Sequence, residues 1–403
     1  MRTSLVVEGN IEVPAERSSF HVVVLPSSYP TFHSPINGIF VREQVHALRR
    51  AGIRSGVVYP DLRSLRTFKA GQCANSHFQT EANQEQGVTT LRISAWNVPF
   101  FNLGWRLWVR FAIRGFSEYV ARFGKPDLCH AHNSLWAGAA AFEIRKRFGV
   151  PYIITEHSSA YERQLVNEDG KSVTRDVFAQ SSAIIAVSRW LRDKLQHYTT
   201  REIRVVPNSV DTEFFTLPLT PRRAGVFRFL TVALLTPVKG IDVLIKAFAR
   251  LLPNENNIEL EIAGDGPERV RLEDLTNRLG ISSSVIFSGE RSREEVRQSM
   301  WRSNAFVTAS HTETFGVVLA EALATGLPVI STKCGGPEEM VSADTGMLVE
   351  RNSESALADA LTRMSQNRGK YDEHHQRQTV ILRYSESVVV NQLQQVYRSA
   401  LCR

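Results

Sequence analysis

A chain of 403 residues is longer than one core usually supports, so two domains of ordinary size are expected. With 43% hydrophobic and 22% charged residues, no low-complexity tract and no apolar run near the roughly 20 residues of a spanning helix, its composition argues against fibrous, disordered and membrane-spanning classes. The net charge of +7 favours an anionic partner, either nucleotide or phospholipid surface; no helix-turn-helix, zinc-finger or RNA-binding signature supports nucleic acid.

Residues 1–19 are polar and of mixed charge, without the apolar core of a signal peptide, and read as a loose extension before the first strand. Cys73, Cys129, Cys334 and Cys402 are scattered with no C-x-x-C pair, as reduced thiols of the cytoplasm would be. Phe20 to Leu25 is a continuous apolar run, expected of a parallel strand covered on both faces. A loop rich in Pro and Ser follows, then Gly38, then a helix from Ile39 to Leu48 that stops at Ala51-Gly52. Strand, glycine loop and helix make the first unit of a doubly wound domain. Tyr59 to Thr90 is polar and irregular, and no role attaches to it. Between Trp96 and Tyr119 aromatic residues crowd, among them Phe100, Phe101, Trp105 and Trp108, while Arg106, Arg110 and Arg114 recur every fourth residue. That is a helix with an apolar face and a basic edge. Most such helices pack the apolar face inward and leave the edge in water; the functional alternative is docking to an anionic membrane surface.

Two further stretches, Pro126-Asp127-Leu128-Cys129-His130-Ala131-His132 and Pro151 to Ser159, each set a short apolar strand ahead of polar residues. In an open parallel sheet those residues face the ligand crevice. Ala183 to Ser188 is another strand. In the second half, Phe229 to Leu235 leads into the loop Thr236-Pro237-Val238-Lys239-Gly240 and a helix from Ile241 to Leu252. Ile258 to Ala263 ends in Gly264-Asp265-Gly266-Pro267, where glycine permits close backbone approach and Pro suits a first helical turn. Val285 to Arg291 is the next strand and loop, and Cys334-Gly335-Gly336-Pro337 a second glycine loop.

The densest stretch is S-H-T-E-T-F-G-V-V-L-A-E-A-L-A-T-G-L-P-V-I-S-T-K-C-G-G-P, from Ser310 to Pro337. A strand at Ala305–Ala309, a turn at Thr312–Gly316, a helix at Val317–Ala324 and a strand at Leu327–Ser331 make one β-α-β unit. The helix start offers unpaired N–H groups and partial positive charge, both suited to phosphate. Glu313, on the loop, can accept from sugar hydroxyls ahead of that phosphate; Glu321, about one turn inside, can bind a ribose diol behind it. Spacing alone also fits a surface helix with two solvated glutamates.

The string S-x-x-E-T-F-G-V-V-L-x-E-A-x-A-x-G-x-P-V-I resembles, almost position for position, the donor-site signature of the retaining glycosyltransferases of family four. P-D-x-x-H-A-H, P-x-x-x-T-E-H-S-S, V-V-P-N-S-V-D and G-D-G-P are similar to that family's other landmarks, so likeness runs from Phe20 to the end. The resemblance implies an α/β fold of GT-B type, two Rossmann-like doubly wound domains facing across a cleft. Residues 1–19 would be the extension, 20–205 the acceptor-binding domain and 206–383 the nucleotide-sugar-binding domain. Residues 384–403 would form a helix returning to the first domain. It implies transfer of a sugar, with retention, from a nucleotide diphospho-sugar to a glycan or lipid-linked acceptor in bacterial surface-polysaccharide or lipid-linked glycan assembly. The enzyme would be cytoplasmic, in peripheral contact with an anionic membrane, and would use neither metal nor cofactor.

By the same likeness Glu313 takes the donor-sugar hydroxyls and Glu321 the ribose. Phe315, Gly316 and Val317 present backbone N–H to sugar and phosphate, and Lys239 binds the diphosphate. His157 sits at the reacting face, with His132 a weaker candidate. Gly38, Gly264, Gly266 and Arg291 would complete the donor site. The sequence departs from the pattern where the family carries an Arg five residues before the Lys, for here stands Leu234, and only Gly38 matches the usual double glycine. A cation at a departing diphosphate contributes several kcal/mol to the transition state. Arg291 or Lys333 would have to compensate, or the helix amides would. A non-catalytic GT-B protein with a degenerate diphosphate site is the rival reading, and a phosphorylase a further one.

Overall fold

A computed structural model describes residues 20–31, 34–64, 79–97, 103–220, 225–255, 257–367 and 369–402. The expected extension at 1–19, Phe100, Phe101 and Cys73 lie outside them. The first half runs β1 (His21–Pro26), α1 (Ile39–Arg50), β2 (Arg54–Ser64), β3 (Thr80–Glu85), β4 (Val88–Asn97), α2 (Leu103–Phe123) and β5 (Leu128–His132). It continues through α3 (Ala139–Phe148), β6 (Tyr152–Glu156), α4 (Glu168–Gln180), β7 (Ala183–Ala186), α5 (Arg189–Leu195) and β8 (Ile203–Val205). Among the described residues these strands form an eight-stranded sheet of order β3-β4-β2-β1-β5-β6-β7-β8.

The second half follows as β9 (Phe227–Val232), α6 (Ile241–Leu251), β10 (Ile258–Ala263), α7 (Arg269–Arg278), β11 (Val285–Gly289), α8 (Arg293–Arg302), β12 (Ala305–Thr308), α9 (Val317–Ala324), β13 (Val329–Thr332) and β14 (Gly346–Val349). Its six strands are ordered β11-β10-β9-β12-β13-β14, all parallel. Three helices close the chain: α10 (Glu354–Gln366), α11 (Glu373–Tyr384) and α12 (Glu386–Leu401). Two sheets flanked by helices, the second all parallel and the first parallel except for its β3–β4 edge, are the two Rossmann-like domains expected of a GT-B fold.

The continuous apolar strands behave as their sequence requires. Val22 to Leu25 are fully buried, because helices cover both faces of a parallel sheet. On α6, Ile241, Leu244, Ile245, Phe248 and Leu251 form one buried stripe, each side chain contributing roughly 1.5–3 kcal/mol of transfer free energy. The described parts of Tyr59 to Thr90, a stretch read as irregular, are largely strand. β2 runs to Ser64, and β3 and β4 form an antiparallel hairpin turned at Gln86-Gly87. β3 is Thr-Glu-Ala-Asn-Gln-Glu, exposed on both faces at the sheet edge, so it carries no apolar alternation to read. Charged side chains there also discourage pairing with another chain. Trp96 belongs to β4; the aromatic helix begins at Leu103. In α2, Trp108, Phe111, Ala112, Phe116 and Tyr119 pack inward while Arg106, Arg110 and Arg114 remain in water. No helix among the described residues is long and apolar enough to cross a membrane.

The last helix returns to the first sheet. Tyr397 on α12 is fully buried, and its hydroxyl lies 2.9 Å from His130 Nδ1 in the middle of β5. Arg50, closing α1, meets Glu386 at 2.6 Å. Tyr397→Phe should cost roughly 1–3 kcal/mol in urea-induced unfolding, since it strands a ring nitrogen that water cannot reach. An unchanged unfolding midpoint would show that the helix does not need this contact.

Candidate active site

The carboxyl ends of both sheets face a cleft. One lobe of it, about 510 Å³, lies between Ile36, Phe40 and Glu43 of the first domain and Leu234, Gly264, Gly266, Arg291 and Glu321 of the second. A second lobe, about 260 Å³, is lined by His157, Lys239, Glu313, Phe315, Gly316 and Val317. Val317 lines both lobes, so the start of α9 is where they meet.

That start is held open by its backbone. Gly316 takes φ 93° and caps α9 without any side-chain hydrogen bond, and the first turn has no acidic residue. The helix therefore presents uncapped amides to the cleft. Glu313 is fixed by a parallel bridge to Gly335: its N–H donates to Cys334 O at 2.9 Å, and its carbonyl accepts from Gly336 N–H at 2.8 Å. Lys239 ends the tight turn Pro237–Lys239 after β9, and its Nζ reaches Glu313 Oε2 at 2.6 Å. An ammonium has three donors, so Lys239 can hold this carboxylate and a phosphate together. Phe315 is buried edge-on to Tyr384, ring centroids 5.4 Å apart.

His157, just past β6, stacks on His132, ring centroids 5.1 Å apart and planes 13° from parallel. His132 Nδ1 and His157 Nε2 lie 2.9 Å apart. Burial pushes His157 down to about 3, helped by His130, and drives His132 well below the ordinary value for the same reason. Both rings are neutral at working pH, so one proton is shared between those nitrogens. His157 Nδ1 is then left without a partner among the described residues. Beneath it Glu156 is buried and accepts from Ser134 N, Ser134 Oγ, His157 N and Ser158 N at 2.6–3.0 Å. Burial raises the Glu156 carboxyl and these bonds oppose the rise.

The model of "Glycosyltransferase Family 4" matches residues 38–214, and that of "Glycosyl transferases group 1" matches 220–379. The chain is a GT-B-fold glycosyltransferase related to both. Alpha-monoglucosyldiacylglycerol synthase of Streptococcus pneumoniae is 28% identical over 70% of this chain and 70% of that protein. A putative teichuronic acid biosynthesis glycosyltransferase of Bacillus subtilis is 26% identical over 85% of this chain and 88% of its own length. HepE of Anabaena, solved with UDP and glucose, superposes with a TM-score of 0.73 at 18% identity, covering 94% of this chain and all of that one.

In this glycosyltransferase the expected site residues do not all converge. Gly38 is not among the lining residues of either lobe, although Ile36, Ile39 and Phe40 around it line the larger one; at φ +72°, a Cβ on it would fall 2.3 Å from Ser28 O, so backbone packing requires glycine there. Lys333 pairs with Glu350 and lines neither lobe, which removes it as a compensating cation. Arg291 does line the larger lobe, with Nη1 2.9 Å from Glu295. Leu234, where the family has Arg, is 53% exposed in the same lobe.

Arg293 is the residue that sequence reading missed. It sits at the first turn of α8, reaching Glu43 of the first domain at 3.2 Å and Asp211 at 3.3 Å, with its guanidinium over the Phe214 ring. Its local sequence, Arg-Ser-Arg-Glu-Glu, looks like any capped helix start, and both its partners are far away in the chain.

Glu321 stands among these groups. Burial pushes its carboxyl up to about 8 from 4.5; Arg293 lowers it, and Glu43 and Asp211 raise it. The unfolded chain ionises near 4.5, so folding with a charged Glu321 becomes progressively costlier as pH rises from about 4.5 to 8. Glu321→Gln in the nucleotide-free enzyme should therefore be neutral at pH 4 and stabilising by several kcal/mol above pH 8. Thermal unfolding across that range reads the sign, and a pH-independent difference would overturn it.

Proposed function

We propose that the chain transfers a glycosyl group, with retention, from a nucleotide diphospho-sugar to a glycan or lipid-linked acceptor. The reading rests chiefly on one observation, the uncapped start of α9 with Lys239 and Glu313 paired beside it and Glu321 in the adjoining lobe. Glu313 binds sugar hydroxyls and Glu321 the ribose, while N–H groups of Phe315, Gly316 and Val317 meet sugar and phosphate. Gly264 and Gly266 let the nucleotide approach the backbone, and Lys239 and Arg291 carry charge at the diphosphate. Residues 20–205 then serve the acceptor, 206–383 the donor, and 384–403 tie the two together.

In the reaction the bond from the anomeric carbon to the diphosphate oxygen breaks with its electron pair on the phosphate. The acceptor oxygen bonds to the same face and its proton passes to the departing phosphate. His157, neutral and with Nδ1 free, offers a hydrogen bond at that face without adding charge. With Leu234 apolar, the leaving group depends on Lys239, Arg291 and the α9 amides, preorganised donors whose individual loss costs on the order of 10²-fold or more in rate. Leu234 alone favours the non-catalytic reading.

Donor hydrolysis, followed as released nucleoside diphosphate across a panel of nucleotide-sugars, separates the two. We expect turnover with at least one donor, reduced about 10²-fold in both Glu313→Ala and Lys239→Ala. Tight nucleotide binding with no turnover by the wild type would establish the binding-protein alternative instead.

We further propose peripheral attachment to anionic membrane, in keeping with the diacylglycerol-linked name of the pneumococcal relative and the teichuronic acid name of the Bacillus one. The support is the edge of Arg106, Arg110 and Arg114 beside a groove lined by Trp105, Val109 and Phe142. The protein should pellet with phosphatidylglycerol vesicles at low salt and be released by high salt, since exposed charges are screened within a Debye length. Replacing the three arginines by alanine should abolish pelleting; sedimentation of that variant with vesicles at wild-type level would remove the membrane role.

A further inference from the structure

A third cavity, of about 440 Å³, opens in the first domain beside the end of β6, outside both lobes of the donor cleft. Tyr59, Trp108, Trp136 and Tyr161 supply aromatic walls, and Asn133 and Ser158 line one end. Trp136 has φ 62° and ψ −80°, inside a wide turn at Ser134–Gly138. A non-glycine residue held there costs roughly 1–3 kcal/mol and persists only where its surroundings over-determine it. Here they do. Glu156 holds Ser134 N at 2.8 Å, Ala137 N donates to Ser27 Oγ at 3.3 Å, and Gly138 N donates to Asn133 O at 3.0 Å. The strain presents a partly exposed indole, edge-on to the buried Trp108 ring at 6.1 Å.

The polar capacity left over is specific. Glu156 is saturated by its four donors and has none to offer a ligand. Asn133 Oδ1 accepts from His157 N at 3.1 Å, and its amide nitrogen has no partner among the described residues. Ser158 Oγ accepts from Ala160 N at 3.1 Å, leaving its own proton to donate. Both groups therefore adjoin His157, which belongs to the donor cleft. Among the described residues no Lys or Arg lines the cavity. An anion buried there would lose its hydration without compensation. A plain alkyl chain would leave the amide and the hydroxyl unpaired. A ring with C–H faces and hydroxyl edges satisfies both walls and ends.

We propose that this cavity seats the acceptor as a neutral glycosyl ring, stacked on Trp136, with a hydroxyl edge bound by Asn133 and Ser158 next to His157. The assignment of that ring as acceptor rests on the glycosyltransferase reading above; the cavity's preference for a neutral glycoside is testable without it.

The full chain is titrated with methyl glucopyranosides, galactopyranosides and N-acetylglucosaminides of both anomers, and separately with glucose 6-phosphate and myo-inositol 1-phosphate. Saturation-transfer NMR reads the binding. Nucleoside diphosphate binding, read by calorimetry, is the independent control. At least one neutral glycoside should bind, roughly ten-fold more weakly to Trp136→Leu and within about three-fold of wild type to Trp136→Phe. Should the Leu variant fold poorly, Asn133→Asp must weaken the same glycoside, because it keeps the bond to the His157 N–H and removes the amide donor. Failure of every glycoside to bind, equal binding by Trp136→Leu, or preference for a phosphorylated ring would overturn the proposal. Glycoside binding that survives while every nucleoside diphosphate fails would instead sink the donor-cleft reading and leave this cavity's specificity standing.

Discussion

The cleft exists because the end of the chain is anchored to both domains. Arg377 on α11 donates to the carbonyls of Thr212 and Phe215 in the crossing segment and of Ala324 at the end of α9, at 2.7–3.1 Å. Val210 N–H donates to Tyr384 O at 2.7 Å, so the crossing segment and the last helices form one joint. From that joint α12 carries Tyr397 to His130 and Glu386 to Arg50 in the first domain. Parallel sheets leave their ligand-binding ends at the carboxyl ends of the strands. A joint that sets those two ends face to face is what turns two ordinary domains into one site.

Charge around the cleft is arranged in pairs rather than as a field. Lys239 faces Glu313, Arg293 faces Glu43 and Asp211, and Arg291 faces Glu295. Each cation is positioned by a carboxylate, which keeps its side chain ordered before any anion arrives. Arg293 differs because one of its partners lies across the cleft, on α1. Its flat guanidinium lies over Phe214 and is suited to such a bridge, where a lysine ammonium would not stack. Domain separation must break that contact, which is a polar latch across the larger lobe. Glu321 lines the same lobe, where burial and two neighbouring acids favour its neutral form.

Much of this was legible in the sequence because it is local. A buried parallel strand must be continuously apolar, a helix start must show its turn and its glycine, and the string around Glu313 and Glu321 puts the loop, the helix and both acids within nine residues. The illegible parts have non-local or neutral signals. The edge strand Thr80–Glu85 faces water on both sides and shows no period. Arg293 acquires meaning from distant partners, Asp211 and above all Glu43, 250 positions earlier. The strained turn at Trp136 is written as Asn-Ser-Leu-Trp-Ala-Gly, which gives no sign that a tryptophan takes a positive φ. Gly38 shows what a motif leaves out: the string marks a glycine, and only the fold shows that the Ser28 backbone beside it would exclude a Cβ.

The stacked histidines connect these levels. A lone histidine at a strand end is ambiguous from sequence, since its proton is undecided near neutrality. Three of them, His130 and His132 on β5 and His157 just past β6, remove the ambiguity, because burial, aided at His132 and His157 by neighbouring rings, leaves none of them room for a second proton. His130 is fixed between Tyr397 and Thr155, at 2.9 and 2.7 Å, so the same helix that joins the domains also braces this stack. In the proposed reaction, positive charge develops on the sugar as the diphosphate leaves. An imidazolium there would oppose that charge, and an ionised carboxylate could attack it. A neutral imidazole that turns a protonated Nδ1 to the sugar adds no charge and presents no lone pair there, so in this reading cationic assistance comes from Lys239 and the α9 amides.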